Sequence, residues 1–282
     1  MNSVMSFLRG AVTIMTPLLF AGIGGLFPAL AGTLNIALEG LLLIGAFSAL
    51  AVFYYTGSAA AAIITAACAA MTLSAVHSAG TFKLRANLFI SGLAMNLFSS
   101  GLCVVLSGRF FNTRGVVASV NISGLLKWYI LAGIILLLIS YIVIYKTSFG
   151  YRLRACDKNS QALMSLGINP EIYQTAALLI CGFFCGIGGS FLSLNLGAFV
   201  PGMSAGKGWI ALVIVFLGGR KPFGILAAAF IYSLAESFSN YAQGIWNLPA
   251  EFILAFPYVC TLLTMIAVSI IPAYNFQHYK KS

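Results

Sequence analysis

The 282-residue chain carries only five acids against fifteen Lys and Arg, so each carboxylate is worth following. Glu39 comes four residues after Asn35 in the stretch TLNIALEG, residues 33–40. On a helix that spacing sets both side chains on one face. An amide and a carboxylate so placed can hydrogen-bond a polar solute inside a cavity. They can equally be a solvated helix start, with Thr33 or Asn35 as the cap. Asn96, in SGLAMN, sits in the middle of an apolar run, where an amide serves either as glue between helices or as a lining group. Asp157 and Glu171 belong to a polar stretch, Tyr145–Glu171, that also holds Lys146, Arg152, Arg154 and Lys158.

Other chemistry is missing. There is no GxxxxGK[ST] phosphate loop, no HExxH pair and no Ser/His/Asp arrangement in the sequence. Glu236 is isolated within its run, and no repeated acid or Arg pattern marks a proton relay. Cysteines 68, 103, 156, 181, 185 and 260 are scattered. Cys181 and Cys185 are four apart, but no His or acid stands beside them to complete a metal site, so they read as small buried hydrophobes. His77, near the end of a run with no second ligand close in sequence, reads as interfacial.

The elements that must hold these residues are membrane helices. The chain is 61% hydrophobic and 7% charged, against about 25% charged in a soluble domain. Its runs lack the alternation of a barrel strand, so the fold class is an all-α integral membrane protein. Apolar runs cover 11–31, a continuation to 55, 58–79, 87–107, 125–145, 172–194, 209–217, 223–243 and 251–271. They predict a polytopic bundle of about nine (8–10) transmembrane helices in a single domain, 1–282, with a polar coupling segment at 146–171. The first run is too long for a cleaved signal and reads as a retained helix. Ten basic residues, among them Lys83, Arg85, Arg220, Lys221, Lys280 and Lys281, then fall on one side. Five (Arg9, Arg109, Arg114, Lys127 and Lys207) fall at the other. That bias makes the coupling segment and the C-terminus cytoplasmic. The net charge of +10 is explained by loop anchors meeting anionic lipid, with no basic patch for nucleic acid.

Three local readings complete the organisation. Residues 108–124 form an outer loop with the glycosylation sequon Asn121-Ile-Ser. Residues 195–208, NLGAFVPGMSAGKG, are an outer segment broken by Gly and Pro, of the kind that lines a cavity or forms a gate. Gly182, Gly186, Gly188 and Gly189 have the spacing for close helix approach. In the coupling segment, Asp157 to Leu166 predicts one short helix with Asp157 near its start and Gly167 as its stop. Ala155, Ala162, Leu163 and Leu166 would give it an apolar face for a groove in a partner. A plain amphipathic helix at the lipid headgroups is the other reading.

Residues 150–169, GYRLRACDKNSQALMSLGIN, resemble the coupling segment of permease subunits in the branched-chain amino acid/ribose/nucleoside family of ABC transporters. The family pattern is roughly G-x-x-x-R-A-x-G-x-N-x-x-A-A-x-x-x-G-I-N. Gly150, Arg154, Ala155, Asn159, Ala162, Gly167, Ile168 and Asn169 match it. Asp157 departs where Gly is common, and Leu163 where a second Ala is common. GTLNIALEGLLLIGAF at 32–47, ISGLAMNLFSSGL at 90–102 and GKGWIALVIVFLGGRKPFGILAAAFIY at 206–232 are similar to further family stretches.

The resemblance implies a non-enzymatic importer subunit of the bacterial inner membrane with no cofactor of its own. Its implied partners are a second, related permease, cytoplasmic cassettes that bind ATP and magnesium, and an extracytoplasmic solute-binding protein or lipoprotein. It assigns docking to Arg152, Arg154, Asp157, Asn159 and Gly167. It assigns the translocation pathway to Asn35, Glu39, Asn96 and Trp209, with Trp209, Phe110 and Phe111 near the outer mouth. The NIALEGLLLIGAF form is closest to nucleoside-type permeases; riboflavin or a ribose-like sugar is the alternative. A stand-alone secondary transporter or channel is the rival of another class, though no internal repeat supports it.

Overall fold

The computed structural model describes residues 2–118 and 124–243, together with Val259 and Leu263. The expected ninth run at 251–271 with Glu251, the tail lysines Lys280 and Lys281, and Asn121 of the sequon lie outside the described residues. The long helices are α1 (Asn2–Leu30), α2 (Leu38–Thr56), α3 (Ala59–Ser78), α4 (Leu88–Phe111) and α5 (Leu125–Lys146). Next come α6 (Ser148–Lys158), α7 (Ser160–Ser165), α8 (Pro170–Leu196), α9 (Lys207–Leu217) and α10 (Pro222–Gln243). A π-helical turn, Ala79–Lys83, extends α3. Among the described residues seven helices, α1 to α5, α8 and α10, are long and apolar enough to cross a membrane. The chain is therefore a multi-pass helical membrane protein, with seven long spans and one short helix described where about nine spans were expected.

The local chemistry sets the helix starts. Asn87 accepts the N–H groups of Phe89 and Ile90 at the start of α4. Asn169 accepts that of Glu171, with Pro170 in the first turn of α8.

Helix α8 is the hub. Its span is 78% buried and that of α1 is 72% buried, against 22% for α4. The reason is its glycine face. A Cβ at Gly182 would meet Ala70 and Met71 of α3, and one at Gly186 would meet Ala66 and Ala67 of α3 and Gly186 itself packs on Gly45 of α2. One at Gly189 would meet Leu42 and Ala46 of α2. Between helices in lipid there is little hydrophobic drive, so close backbone packing of this kind carries association. The spacing read from the sequence is the spacing used. His77 differs from expectation: it is buried, with Nδ1 3.0 Å from Ser91 Oγ, because the end of α3 lies under α4.

The turns sort onto two faces. Lys83 and Glu171 line one groove. Ala31 C=O accepts from Gln174, and Arg220 pairs with Asp157. The turns after α1, α3 and α9 thus share one basic face with α6 and α7. At the opposite face β1 (Val117–Ala118) pairs antiparallel with β2 (Ala198–Phe199).

Helix α9 is too short to span. Eleven residues rise roughly 16 Å, about half of a ~30 Å hydrocarbon layer. It ends at the basic face, so it begins halfway across. Of the segment 195–208, expected as an outer segment broken by Gly and Pro, residues 197–206 are non-helical and run inward from β2, with Gly202, Ala205 and Gly206 at positive φ. Lys207, expected at the outer edge, is consequently the first residue of α9 and lies at mid-depth. Hydropathy alone does not separate a loop that stays outside from one that turns in.

Candidate functional site

The inward backbone of 197–206 meets a second interrupted element. After α1 the chain is non-helical from Thr33 to Ile36, and α2 starts at Leu38. Both short stretches are built from residues that disfavour helix continuation or tolerate unusual dihedrals, Gly32-Thr33 on one side and Pro201-Gly202 on the other. The two helix starts touch at Glu39. Its Oε1 accepts the N–H of Gly206 at 2.8 Å and its Oε2 that of Gly208 at 2.7 Å. These are short, charge-assisted bonds at the positive end of α9. Glu39 is therefore half-buried, with both carboxylate oxygens engaged by backbone N–H groups at the start of α9.

Asn96 closes the same junction from α4. Its Oδ1 accepts from Gly40 N at 2.8 Å and its Nδ2 donates to Ile36 C=O at 2.9 Å. Asn96 lies eight residues into α4, roughly 12 Å from the basic end, which agrees with the depth given by α9. Asn35 is 1% exposed. Its Oδ1 accepts from Ala37 N and its Nδ2 donates to Cys181 Sγ at 3.3 Å. So Asn35, Glu39 and Asn96 come together, and each has its polar atoms engaged within the junction. Trp209, expected near the outer mouth, is instead in the first turn of α9 beside this junction, because α9 begins at mid-depth, and it is 42% exposed. Lys207, beside it, has no side-chain partner among the described residues. The sequence reading missed Lys207, Gly206 and Gly208 as members of this group. The only local signal was the GKG tripeptide itself. Phe111 packs at the outer end against Phe47, Tyr54 and Tyr55, and Phe110 C=O accepts from Tyr55.

The second feature is the coupling segment on the basic face. The single helix expected over Asp157–Leu166 is two. Asn159 (φ −158°, ψ 81°) breaks it and caps α7 by accepting from Ala162 N at 3.0 Å. Asp157 is thus in the last turn of α6, away from any helix start, because the Asn159 side chain competes for the backbone. Gly167 does stop α7: its φ is +73°, and Ile168 N bonds back to Leu163 C=O. Of the apolar face, Leu163 is buried in the chain itself, while Met164 and Leu166 are 56% and 74% exposed. Tyr151 of α6 is 59% exposed on the same segment.

The charged members are held in place. The Arg154 guanidinium lies 4.9 Å from the Tyr145 ring centroid and 5.0 Å from that of Tyr151. Arg152 donates to Tyr173 at 2.8 Å. Asp157 accepts from Arg220 at 3.2 Å. Burial pushes the Cys156 thiol of α6 above its ordinary range, partly offset by a backbone hydrogen bond. Among the described residues no cluster of His, Cys, Asp or Glu could hold a metal ion.

Residues 7–269 match the family model described as branched-chain amino acid transport system / permease component. The chain is 29% identical to the nucleoside ABC transporter permease protein NupC of Lactococcus lactis, over all of this chain and 98% of that one. It is 29% identical to the guanosine ABC transporter permease protein NupQ of Bacillus subtilis, over 88% of this chain and 87% of that one. It is 26% identical to a putative glucose ABC transporter permease protein of Haloferax volcanii, over 87% and 80%. In fold it is similar to PsaBC from Streptococcus pneumoniae, solved in complex with a Fab, at a TM-score of 0.51 and 13% identity over 92% of this chain and 90% of that one. With seven apolar spans among the described residues and a family match over nearly its whole length, the chain belongs to the branched-chain amino acid transport system / permease component family of ABC transporter membrane subunits.

Proposed function

We propose that the chain forms half of the translocation pathway of an ATP-driven importer for a nucleoside in the bacterial inner membrane. The similarity to nucleoside and guanosine permeases over nearly the full length carries this reading. The geometry supplies the two parts that such a subunit needs. One is the junction of two interrupted helices, where the non-helical backbone of 33–36 and 197–206 meets at Glu39. The other is a projecting helix pair on the basic face, assigned to the cytoplasm by its charge.

In this reading Asn35, Glu39 and Asn96 hold the pathway walls, while Lys207 and the indole of Trp209 meet the solute. A flat ring can stack on the indole, and the ammonium can donate to base or ribose acceptors. Met164, Leu166 and Tyr151 press into a cassette, oriented by Arg152, Arg154, Asp157, Asn159 and Gly167. The cassettes bind ATP with magnesium, and their closure drives the two-state change. A related permease supplies the other half, and an extracytoplasmic protein delivers solute.

A sugar is the second reading, favoured by the glucose permease relative. Riboflavin finds no support in these relatives' names. Disrupting this chain in its host and following labelled guanosine, glucose and riboflavin separates the three. Loss of guanosine uptake alone supports the proposal; loss of glucose or riboflavin uptake with guanosine intact contradicts it.

A further inference from the structure

We propose that Asp157 is the joint that passes cassette-driven movement of the coupling segment to the mid-depth junction, along two arms that both end at Glu39. The inference rests on the importer reading above. It starts from a closed ring of contacts.

The first arm is α9. At the basic face Asp157 Oδ2 accepts from Arg220 Nη1 at 3.2 Å. Arg220 is tied to α9 twice: its N–H bonds to Val215 C=O at 3.0 Å, and its guanidinium lies 5.4 Å from the Phe216 ring centroid. Its φ of 54° fixes the turn that aims it at Asp157. From there eleven helical residues run to Lys207, between the two glycines that Glu39 holds. A hydrogen-bonded helix of this length moves as a rod.

The second arm is the non-helical link after α1. Gly32 packs directly on Asp157: a Cβ at Gly32 would lie 3.1 Å from Asp157 Cα and 3.0 Å from its Oδ1. The next residues are Thr33, Asn35 and Ile36, and the link ends at Glu39. Asn96 and Cys181 hold it from the side. Displacing Asp157 therefore pushes one arm through Gly32 and pulls the other through Arg220. Their far ends are joined by the same carboxylate, so a relative shift of the arms loads the Glu39 bonds.

The Arg220–Asp157 pair is about 40% exposed on each side. Such a pair adds little to stability, which suits a contact that transmits movement.

The test uses the complete assembly of both permeases, cassettes and solute-binding protein in lipid, as wild type, D157N, R220Q and the swap D157R/R220D. Hydrogen exchange of residues 33–40 and 200–208 is followed with and without ATP and vanadate, beside ATP hydrolysed per labelled guanosine taken up. In the wild type both segments change exchange on trapping. In D157N and R220Q, which cut the Arg220 arm and leave the Gly32 contact, the change is reduced and ATP consumed per guanosine rises roughly threefold, the size expected for an exposed ion pair. The swap restores both. A wild-type response in D157N, no response in the wild type, or a swap that behaves like the single variants overturns the joint. If trapping changes exchange in both segments of the wild type, D157N and R220Q weaken that change and the swap restores it, but guanosine is not taken up, the joint stands and the solute reading fails.

Discussion

Glu39 and Gly206 are 167 positions apart, yet a 2.8 Å hydrogen bond joins them halfway across the bundle, and the second oxygen of the same carboxylate takes Gly208 at 2.7 Å. The free N–H groups at the start of α9 are thereby matched by a carboxylate from the start of α2. Each bond to a charged group is worth about 1.5–3 kcal/mol.

Replacing Glu39 tests this directly. Glu39→Gln keeps the shape but sets an amide NH2 against one of two N–H donors. Glu39→Ala orphans both. Guanosine uptake falls about tenfold in the first, equal to ~1.4 kcal/mol, and further in the second. Melting temperature falls in the same order. Uptake at the wild-type rate in Glu39→Ala would remove the junction from the pathway.

Glycine substitutions separate packing from backbone preference. A Cβ at Gly208 would run into the backbone of Leu38 and Glu39, whereas one at Gly101 in α4 meets nothing within 4 Å. Gly208→Ala is expected to cost about 1–3 kcal/mol. Gly101→Ala is neutral or stabilises by up to ~1 kcal/mol. Thermal melts of the two variants in one detergent are the check, and equal melts would contradict the close approach of α2 and α9.

The coupling segment gives a different contrast. Arg154→Lys loses the stacking between two tyrosine rings and costs about 1 kcal/mol. Gly167→Val forces a branched side chain into φ +73°, at ~1–3 kcal/mol, and reshapes the surface carrying Leu166. Gly167→Val is expected to leave the protein in the membrane and ATP hydrolysis running while guanosine uptake drops. Normal uptake in Gly167→Val would remove α7 from docking.

Cys156 reports burial of α6. Its thiol is raised by burial, so at pH 7.5 the folded chain holds less thiolate than a free cysteine with pKa about 8.5. Alkylation at this site is slow there and climbs only as pH passes above that range; mass spectrometry of the peptide follows it. The folded state favours the protonated thiol, so the associated stability is present below the unfolded pKa and is lost as pH rises above it. Rapid labelling at pH 7.5 would mean that α6 lifts off Pro170.

Much of the architecture was legible, for identifiable reasons. Long apolar runs leave helices as the only option, and Gly182 and Gly186 announced close packing because small residues at that spacing have little other use in lipid. The coupling segment stood out because four cations between apolar runs must lie in water. What escaped the sequence are relations between distant residues. Nothing near Glu39 points to Gly206, and nothing near Asp157 points to Arg220. Lys207 was placed on the outside because a loop that turns inward has the same composition as one that does not. Asn159 broke the coupling helix because its side chain serves the backbone as well as the helix would, a balance that pattern matching does not weigh.

The most direct measurement is uptake of labelled guanosine into proteoliposomes holding the purified assembly and its solute-binding protein, with ATP or a non-hydrolysable analogue on the cassette side. Accumulation against a gradient with ATP, and none with the analogue, is the predicted result. Equal uptake under both conditions, or uptake by this chain reconstituted alone, would contradict an ATP-driven nucleoside importer.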